Sequence, residues 1–172
     1  MKNYFLFFSL ILFINSIAPD IYIVRHAESS KWKWCNDGKR PPLTEPGKER
    51  EEALKKVLKT KKIGYIFSIN TVRTRSTADP LRAYFNLVAQ SYPVPDSAFI
   101  NRLVSLKKNT LIVGHNTVDD IVNKLCGQII IPADLKDTEH DNLFVVKKKK
   151  RKMNFVRKDS NGENRKYGKS SP

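Results

Sequence analysis

Cationic and imidazole side chains follow three short apolar runs in this sequence. Arg25 and His26 come directly after the run DIYIV, and His115 comes directly after NTLIVG. Arg73 lies a few residues beyond IGYIFSI. Each residue by itself has an ordinary interpretation, since an arginine after a strand is usually exposed and a His-Asn pair often caps a helix. Arginine forks bind phosphate oxygens and imidazole carries protons or attacks as a nucleophile, so the set predicts chemistry on an anion.

The three apolar runs have the length and composition of buried strands. Helical patterns follow them. The first, TEPGKEREEALKKVLKT, has Thr44 as its N-cap and Pro46 in its first turn. NTVRTRSTADPLRAYFNLVA is mostly helical, and NTVDDIVNKLCG ends at Gly127. NLFVV and MNFVR predict a closing hairpin on either side of a lysine run.

This alternation predicts an α/β fold, a three-layer sandwich with a mostly parallel central sheet flanked by helices. In such sheets ligands bind beyond the carboxyl ends of the strands. Arg25, His26, Arg73 and His115 all follow a strand and therefore converge on one crevice. Like charges converge where an anion neutralises them, and a tetrahedral phosphate fits two guanidinium groups and two imidazoles.

The chain has 172 residues, 40% of them hydrophobic, and a formal net charge of +15. Residues 147–172 hold eleven Lys or Arg against Asp159 and Glu163, which is +9 of that total. The excess favours anionic partners. It forms either a solvated segment or a surface for an acidic polymer or membrane, and no specific nucleic acid is expected.

The N-terminus, MKNYFLFFSLILFINSIAPD, has one early lysine, an apolar stretch and small residues before Pro19. This layout predicts a signal peptide over residues 1–18, with an uncleaved anchor as the alternative. The expected organisation is then a catalytic domain over 19–158 and a basic tail over 159–172. The protein is expected to be exported, to the periplasm or beyond the cell.

The two cysteines and three histidines do not form a metal-binding pattern. Cys35 and Cys126 could pair in an exported protein, although Cys126 lies in an apolar helical pattern that favours a buried thiol. The histidines are far apart in sequence and lack nearby cysteine or histidine partners. We therefore expect no metal.

Four motifs in order resemble the histidine phosphatase superfamily, which has the phosphoglycerate mutase-like fold. They are VRHAES, PPLTEPGKEREEAL, SINTVRTRSTADPL and TLIVGHN. A later stretch, EHDNLFVV, is similar to the closing strand of small exported members. The short chain resembles the compact phosphohistidine-phosphatase branch.

The resemblance implies a mechanism and a set of site residues. His26 would be the nucleophile and would form a phosphohistidine that water hydrolyses. Arg25 and Arg73 would clamp the phosphoryl oxygens, and His115 would bind the phosphoryl group. Asn116 would orient the phosphate site or cap the following helix. No cofactor is implied, and the expected substrate is a phosphorylated small molecule or phosphoprotein.

The general acid is the least defined part of this site. Many family members have a Glu or Asp between the second arginine and the second histidine, an interval that here contains Asp79 and Asp96. Asp79 lies in a helical pattern, so Asp96 is the candidate, with Glu28 and Asp141 as rivals. A site without a strong acid would favour phosphohistidine, acyl phosphates and aryl phosphates, whose leaving groups are already stable.

Two alternative functions remain. One is a non-catalytic anion-binding module that uses the basic C-terminal hairpin. The other is a mutase-type phosphotransferase, which the short interval after Ala78 and the signal-like N-terminus both disfavour, because a mutase must hold and reorient its intermediate.

Overall fold

A computed structural model describes residues 18–30, 42–132, 135–136, 139–149, 152–158 and 162–165. Eleven helices and strands lie within these ranges: β1 Asp20–Arg25, α1 Glu45–Leu58, β2 Ile63–Ser68, α2 Val72–Phe85, β3 Ala89–Ser91, α3 Ser97–Ser105, β4 Asn109–Gly114, α4 Val118–Cys126, β5 Leu143–Lys149, β6 Lys152–Lys158 and β7 Asn164–Arg165. The predicted signal peptide lies outside the described residues except for Ala18, as do Cys35 and most of the basic tail.

The strands form one sheet in the order β3-β2-β4-β1-β5-β6-β7. The first four strands in this order are parallel, and β5, β6 and β7 continue the sheet antiparallel. Because β1 lies beside β4 in parallel, Arg25 pairs with Gly114 and the two strands end side by side. The predicted α/β sandwich is confirmed.

Alternation along the strands divides the core into two layers. Ile21 and Ile23 of β1 face α3 and α4, whereas Tyr22 and Val24 face α1 and α2. Each strand residue therefore contributes to one of two apolar clusters, and full burial of such a side chain stabilises the fold by about 1.5–3 kcal/mol. The sheet between the two clusters is a rigid platform for the residues at its carboxyl edge.

Helix caps follow the sequence signals. The Thr44 side chain accepts a hydrogen bond from Gly47 N at the start of α1, and Thr71 accepts one from Thr74 N at the start of α2. Gly127 ends α4 with a φ of 65°, a left-handed conformation that glycine adopts without strain. Thr44 as a cap and Gly127 as a stop are confirmed.

Three elements differ from the sequence prediction. The helical pattern after β2 ends at Phe85, and Ala89–Ser91 instead adds the edge strand β3. Asp96 precedes a helix, α3, whose face of Phe99, Ile100 and Leu103 packs into the core. Asn164 and Arg165, in the predicted tail, form β7 beside β6.

Within the described residues, no helix is both long and apolar enough to cross a bilayer.

Candidate active site

His26 and His115 meet because β1 and β4 end at the same level. His26 N donates a hydrogen bond of 3.0 Å to Gly114 O, which extends the pairing of the two strands by one residue. The imidazole rings of His26 and His115 lie 4.9 Å apart between centroids. Two imidazoles separated by 89 residues in sequence thus lie next to each other at the carboxyl edge of the sheet.

The hydrogen bonding of His26 selects one tautomer. Its side chain is only 4% exposed, and Nδ1 lies 2.7 Å from Ala27 O. A carbonyl oxygen only accepts hydrogen bonds, so Nδ1 carries the proton. Nε2 is buried and has no hydrogen-bond partner among the described residues. The unprotonated nitrogen is therefore the one left available for attack.

Burial lowers the pKa of His26 to about 4. The bond to Ala27 O opposes this shift, while the charges of Arg73, His115 and His140 reinforce it. An imidazole with this pKa is neutral at pH 7 and has a free lone pair on Nε2. That is the state a nucleophilic histidine requires.

Arg25 is held by a segment that comes from the far end of the chain. Its guanidinium is buried, and Nη1 donates hydrogen bonds to Leu135 O at 3.0 Å and Lys136 O at 2.8 Å. Both acceptors are backbone carbonyls, so the loop before β5 orients the guanidinium of Arg25.

Arg73 lies in the first turn of α2, and Thr77, one turn later, ties this helix to the His26 loop. Thr77 Oγ1 donates to Arg73 O at 2.7 Å and accepts from Ala27 N at 2.9 Å. The buried hydroxyl thus joins the backbone beside the second arginine to the backbone beside the nucleophile. Sequence reasoning quoted this threonine within a motif but gave it no role.

Residues 21–93 match the family model of the histidine phosphatase superfamily, branch 1. This range contains Arg25, His26 and Arg73, the residues just described at the sheet edge. This match supports assignment of the chain to the histidine phosphatase superfamily. His115 lies beyond the matched range, and the pairing of β1 with β4 places it in the site.

Several solved structures share this fold. A protein assigned as the phosphohistidine phosphatase SixA from Agrobacterium tumefaciens is 18% identical with a TM-score of 0.57, and the match covers 80% of this chain and 97% of that one. A protein assigned as an alpha-ribazole-5'-P phosphatase from Escherichia coli is 14% identical with a TM-score of 0.59, over 87% and 100% of the two chains.

A third similar structure is mycobacterial glucosyl-3-phosphoglycerate phosphatase in complex with VO3. It is 12% identical with a TM-score of 0.59, over 81% of this chain and 97% of that chain. A comparison with curated protein sequences gave no significant match.

Two of the candidate carboxylates, Glu28 and Asp79, form ion pairs with arginines. Glu28 binds Arg50 through both carboxylate oxygens. Burial would raise the pKa of Glu28, but the Arg50 hydrogen bonds outweigh it and hold that pKa below its usual value. Glu28 is the main cause of the raised pKa of Arg50, and the charge of Asp141 adds to it. Asp79 pairs with Arg82 at 2.8 Å on the exposed face of α2.

Asp96, the candidate general acid, caps α3. Its Oδ1 accepts a hydrogen bond of 2.8 Å from Phe99 N. None of the charged groups that shift the pKa of His26 is a carboxylate of the described residues. A catalytic role for Asp96 stays a prediction.

Asn116 follows His115 and is exposed. The next residue, Thr117, occupies the N-cap position of α4 without a side-chain capping bond. Asn116 thus lies beside His115 after the carboxyl end of β4, and its proposed contact with phosphate stays a prediction.

His140 is the site residue that sequence reasoning missed. Its Nδ1 lies 2.8 Å from His26 O, and its ring lies 5.4 Å from that of His26. The only sequence signal was its position just before the closing strand. A third imidazole therefore joins the two that were predicted.

Over the described part of the chain, no group of three or more His, Cys, Asp or Glu side chains is arranged to hold a metal ion. Cys126 is a half-buried free thiol, and burial raises its pKa.

Proposed function

We propose that this protein is a phosphatase that hydrolyses phosphomonoester or phosphoramidate bonds through a phosphohistidine on His26. The match of residues 21–93 to the superfamily model supports the phosphatase activity. The hydrogen bonding of His26 supports the phosphohistidine intermediate. Nδ1 donates to Ala27 O, and Nε2 is buried without a partner in the described part of the chain. A neutral nitrogen of this kind, beside Arg73 and His115, is suited to attack an anionic phosphoryl group.

In the first step, the Nε2 lone pair of His26 forms a bond to phosphorus as the bond to the leaving group breaks. The leaving group takes that electron pair and a proton. In the second step, water attacks phosphorus, the P–N bond breaks, and its electron pair returns to Nε2 of His26. Inorganic phosphate then leaves and the enzyme is regenerated.

The surrounding cations supply electrostatic stabilisation in both steps. Charge develops on the equatorial phosphoryl oxygens, and preorganised donors aimed at such oxygens each contribute about 10²–10³-fold to the rate. Arg25, Arg73 and His115 fill this role in the proposal. The proposed reaction uses no metal or cofactor.

The substrate is proposed as a phosphorylated small molecule or phosphoprotein. The similar structures include proteins named as phosphatases of phosphohistidine, alpha-ribazole-5'-P and glucosyl-3-phosphoglycerate. We also propose export, directed by residues 1–18, and attraction of acidic surfaces to the basic C-terminal residues. The leader and most of this basic segment lie outside the described residues.

The test is hydrolysis of p-nitrophenyl phosphate by the purified chain, with His26→Ala as the variant. We expect His26→Ala to lower kcat by more than about 10³-fold while circular dichroism stays unchanged. Intact mass at alkaline pH after rapid mixing with a phosphoramidate should show one added phosphoryl group on wild type and none on the variant.

Activity that survives His26→Ala would overturn the proposed function. Salt-sensitive binding of anions that depends on Lys147–Lys152 and is indifferent to His26 would instead support the binding module.

A further inference from the structure

His140 reaches the site from a segment that is anchored on both sides. Before it, Leu135 and Lys136 accept the hydrogen bonds from Arg25. After it, Asn142 and Leu143 are buried where β5 begins beside β1. The imidazole lies between these two anchors, so its approach to His26 is fixed by the fold.

A local turn strengthens the first anchor. Lys136 N donates to Glu139 Oε2 at 3.0 Å, and Glu139 N donates to Lys136 O at 2.9 Å. The residue just before His140 is therefore tied to the backbone that binds Arg25. The half-buried His140 is therefore held in place by the same backbone that orients Arg25.

The bond to His26 O determines which nitrogen of His140 can exchange a proton. Since a carbonyl only accepts, Nδ1 of His140 is the donor and keeps its hydrogen. Nε2 remains to carry a second proton or to accept one. Imidazole does this most readily between pH 5 and 8, which suits a group that must act as an acid and then as a base.

The carboxylates considered for proton transfer interact with other groups. Glu28 is held ionised by Arg50, and Asp96 caps α3. Asp141 acts electrostatically on Arg50. These interactions therefore assign none of these carboxylates to the leaving group as its proton donor. His140, whose ring lies 5.4 Å from that of the nucleophile, is near enough to fill this role.

We propose that His140 is a further catalytic residue, the general acid of the first step and the general base of the second. This inference rests on the proposed function, because it needs the phosphohistidine on His26. It also widens the substrate class from activated phosphates to esters of more basic alcohols and phenols.

His140 gives up one proton in the first step and regains one in the second. In the first step the Nε2 proton of the His140 imidazolium passes to the leaving oxygen as the P–O bond breaks, which leaves neutral His140 and a free alcohol. In the second step neutral His140 removes a proton from the attacking water as the P–N bond breaks. This restores the imidazolium, while Nδ1–H stays bonded to His26 O.

Charged and titratable groups on several elements face His140. Its charge acts on Glu28, whose pKa it helps to lower, and on His26. Arg50 lies behind Glu28 and also faces Asp141, the next residue in the chain. Arg25 binds the backbone of Leu135 and Lys136, which precede His140 in the chain.

The test compares two substrates that differ in their leaving group, p-nitrophenyl phosphate and phenyl phosphate, on the full chain. The variant is His140→Asn, whose amide N–H can still donate to His26 O but cannot transfer a proton. We expect kcat/KM of the variant to fall by about 10²-fold or more with phenyl phosphate, and to stay within about threefold of wild type with p-nitrophenyl phosphate. The basic limb of the wild-type pH profile with phenyl phosphate should disappear in the variant.

His140→Gln is the second variant, should the asparagine variant fold poorly, and it offers the same amide on a longer side chain. Equal losses with both substrates would show that His140 only positions His26, and no loss with either would remove it from the reaction. Both results overturn this inference while the activity of wild type and its loss in His26→Ala leave the proposed function intact. Activity that persists in His26→Ala would overturn both.

Discussion

The two ends of the parallel strands differ in how their polar groups are paired. At the amino ends, the Asn109 side chain accepts a hydrogen bond of 2.8 Å from Asp20 N and donates one of 2.5 Å to Lys61 O. One amide thus connects β1, β4 and the turn after α1. At the carboxyl ends, His26 Nε2 is buried without a partner in the described residues, and the charges of Arg73 and His115 act on it.

This difference separates stability from function within one sheet. A satisfied buried hydrogen bond contributes about 1 kcal/mol to folding, whereas a buried polar atom without a partner costs about 1–3 kcal/mol. The amino ends therefore stabilise the fold, and the carboxyl ends retain unfavourable burial and repulsion that an anion would relieve. Substitutions at the two ends should have opposite consequences.

The largest expected effect is at the carboxyl ends. Arg73→Ala should lower kcat/KM for p-nitrophenyl phosphate by about 10²–10³-fold, because it removes a cation that we propose binds the phosphoryl oxygens. The matched control is Arg75→Ala, since Arg75 is exposed on the same helix. Steady-state kinetics of the two variants measures the difference. Equal activity in both variants would contradict the assignment of Arg73 to the site.

The second effect is a pH-dependent cost of keeping His26 neutral. The pKa of His26 is about 4 in the folded protein and 6.5 in a model peptide. Between these two pH values the unfolded chain binds a proton on His26 and the folded chain does not. The free energy of unfolding should therefore decrease as the pH is lowered from about 6.5 to about 4. By pH 5 the loss from His26 is about 2 kcal/mol.

His26→Gln removes this contribution. Urea unfolding at pH 8 and pH 5 should show a loss of free energy of unfolding smaller in the variant than in wild type by about 2 kcal/mol. Identical losses would mean that His26 titrates near its ordinary pKa and that the carboxyl ends carry no such cost.

The smallest effect is at the amino ends. Asn109→Ala should lower the free energy of unfolding by about 1–2 kcal/mol, because it removes the two hydrogen bonds to Asp20 and Lys61. The control, Asn101→Ala, changes an exposed asparagine on α3 and should have little effect on stability. Since Asn109 lies at the opposite end of β4 from His115, kcat/KM should be unchanged. A parallel loss of activity would show that the two ends are coupled.

Features encoded locally were predicted from sequence. The strand that ends at Arg25, the Thr44 cap and the Gly127 stop each depend on a few adjacent residues. The convergence of His26 with His115 was also predictable, because parallel strands in an α/β sheet end at the same edge.

Features that depend on tertiary pairing were not predicted. Ala89–Ser91 has too few residues for a periodic signal and becomes a strand only through its pairing with β2. The pattern of α3 was obscured by the prolines at positions 93 and 95. His140 lies 114 residues from His26, and its role depends on how the chain returns to the sheet edge before β5.

The backbone after His26 pairs with the backbone before α1. Ser29 and Leu43 form an antiparallel bridge, and Ser30 N donates to Pro42 O at 3.3 Å. The close approach of α1 at Gly47, where an added Cβ would lie 2.2 Å from Glu28 O, fixes the same junction. Ser30 and Pro42 are thus held together at one junction. Doubling the length of a segment whose ends are already joined costs only about 0.6 kcal/mol of chain entropy. Insertions between Ser30 and Pro42 should therefore leave Arg25 and His26 in their present positions.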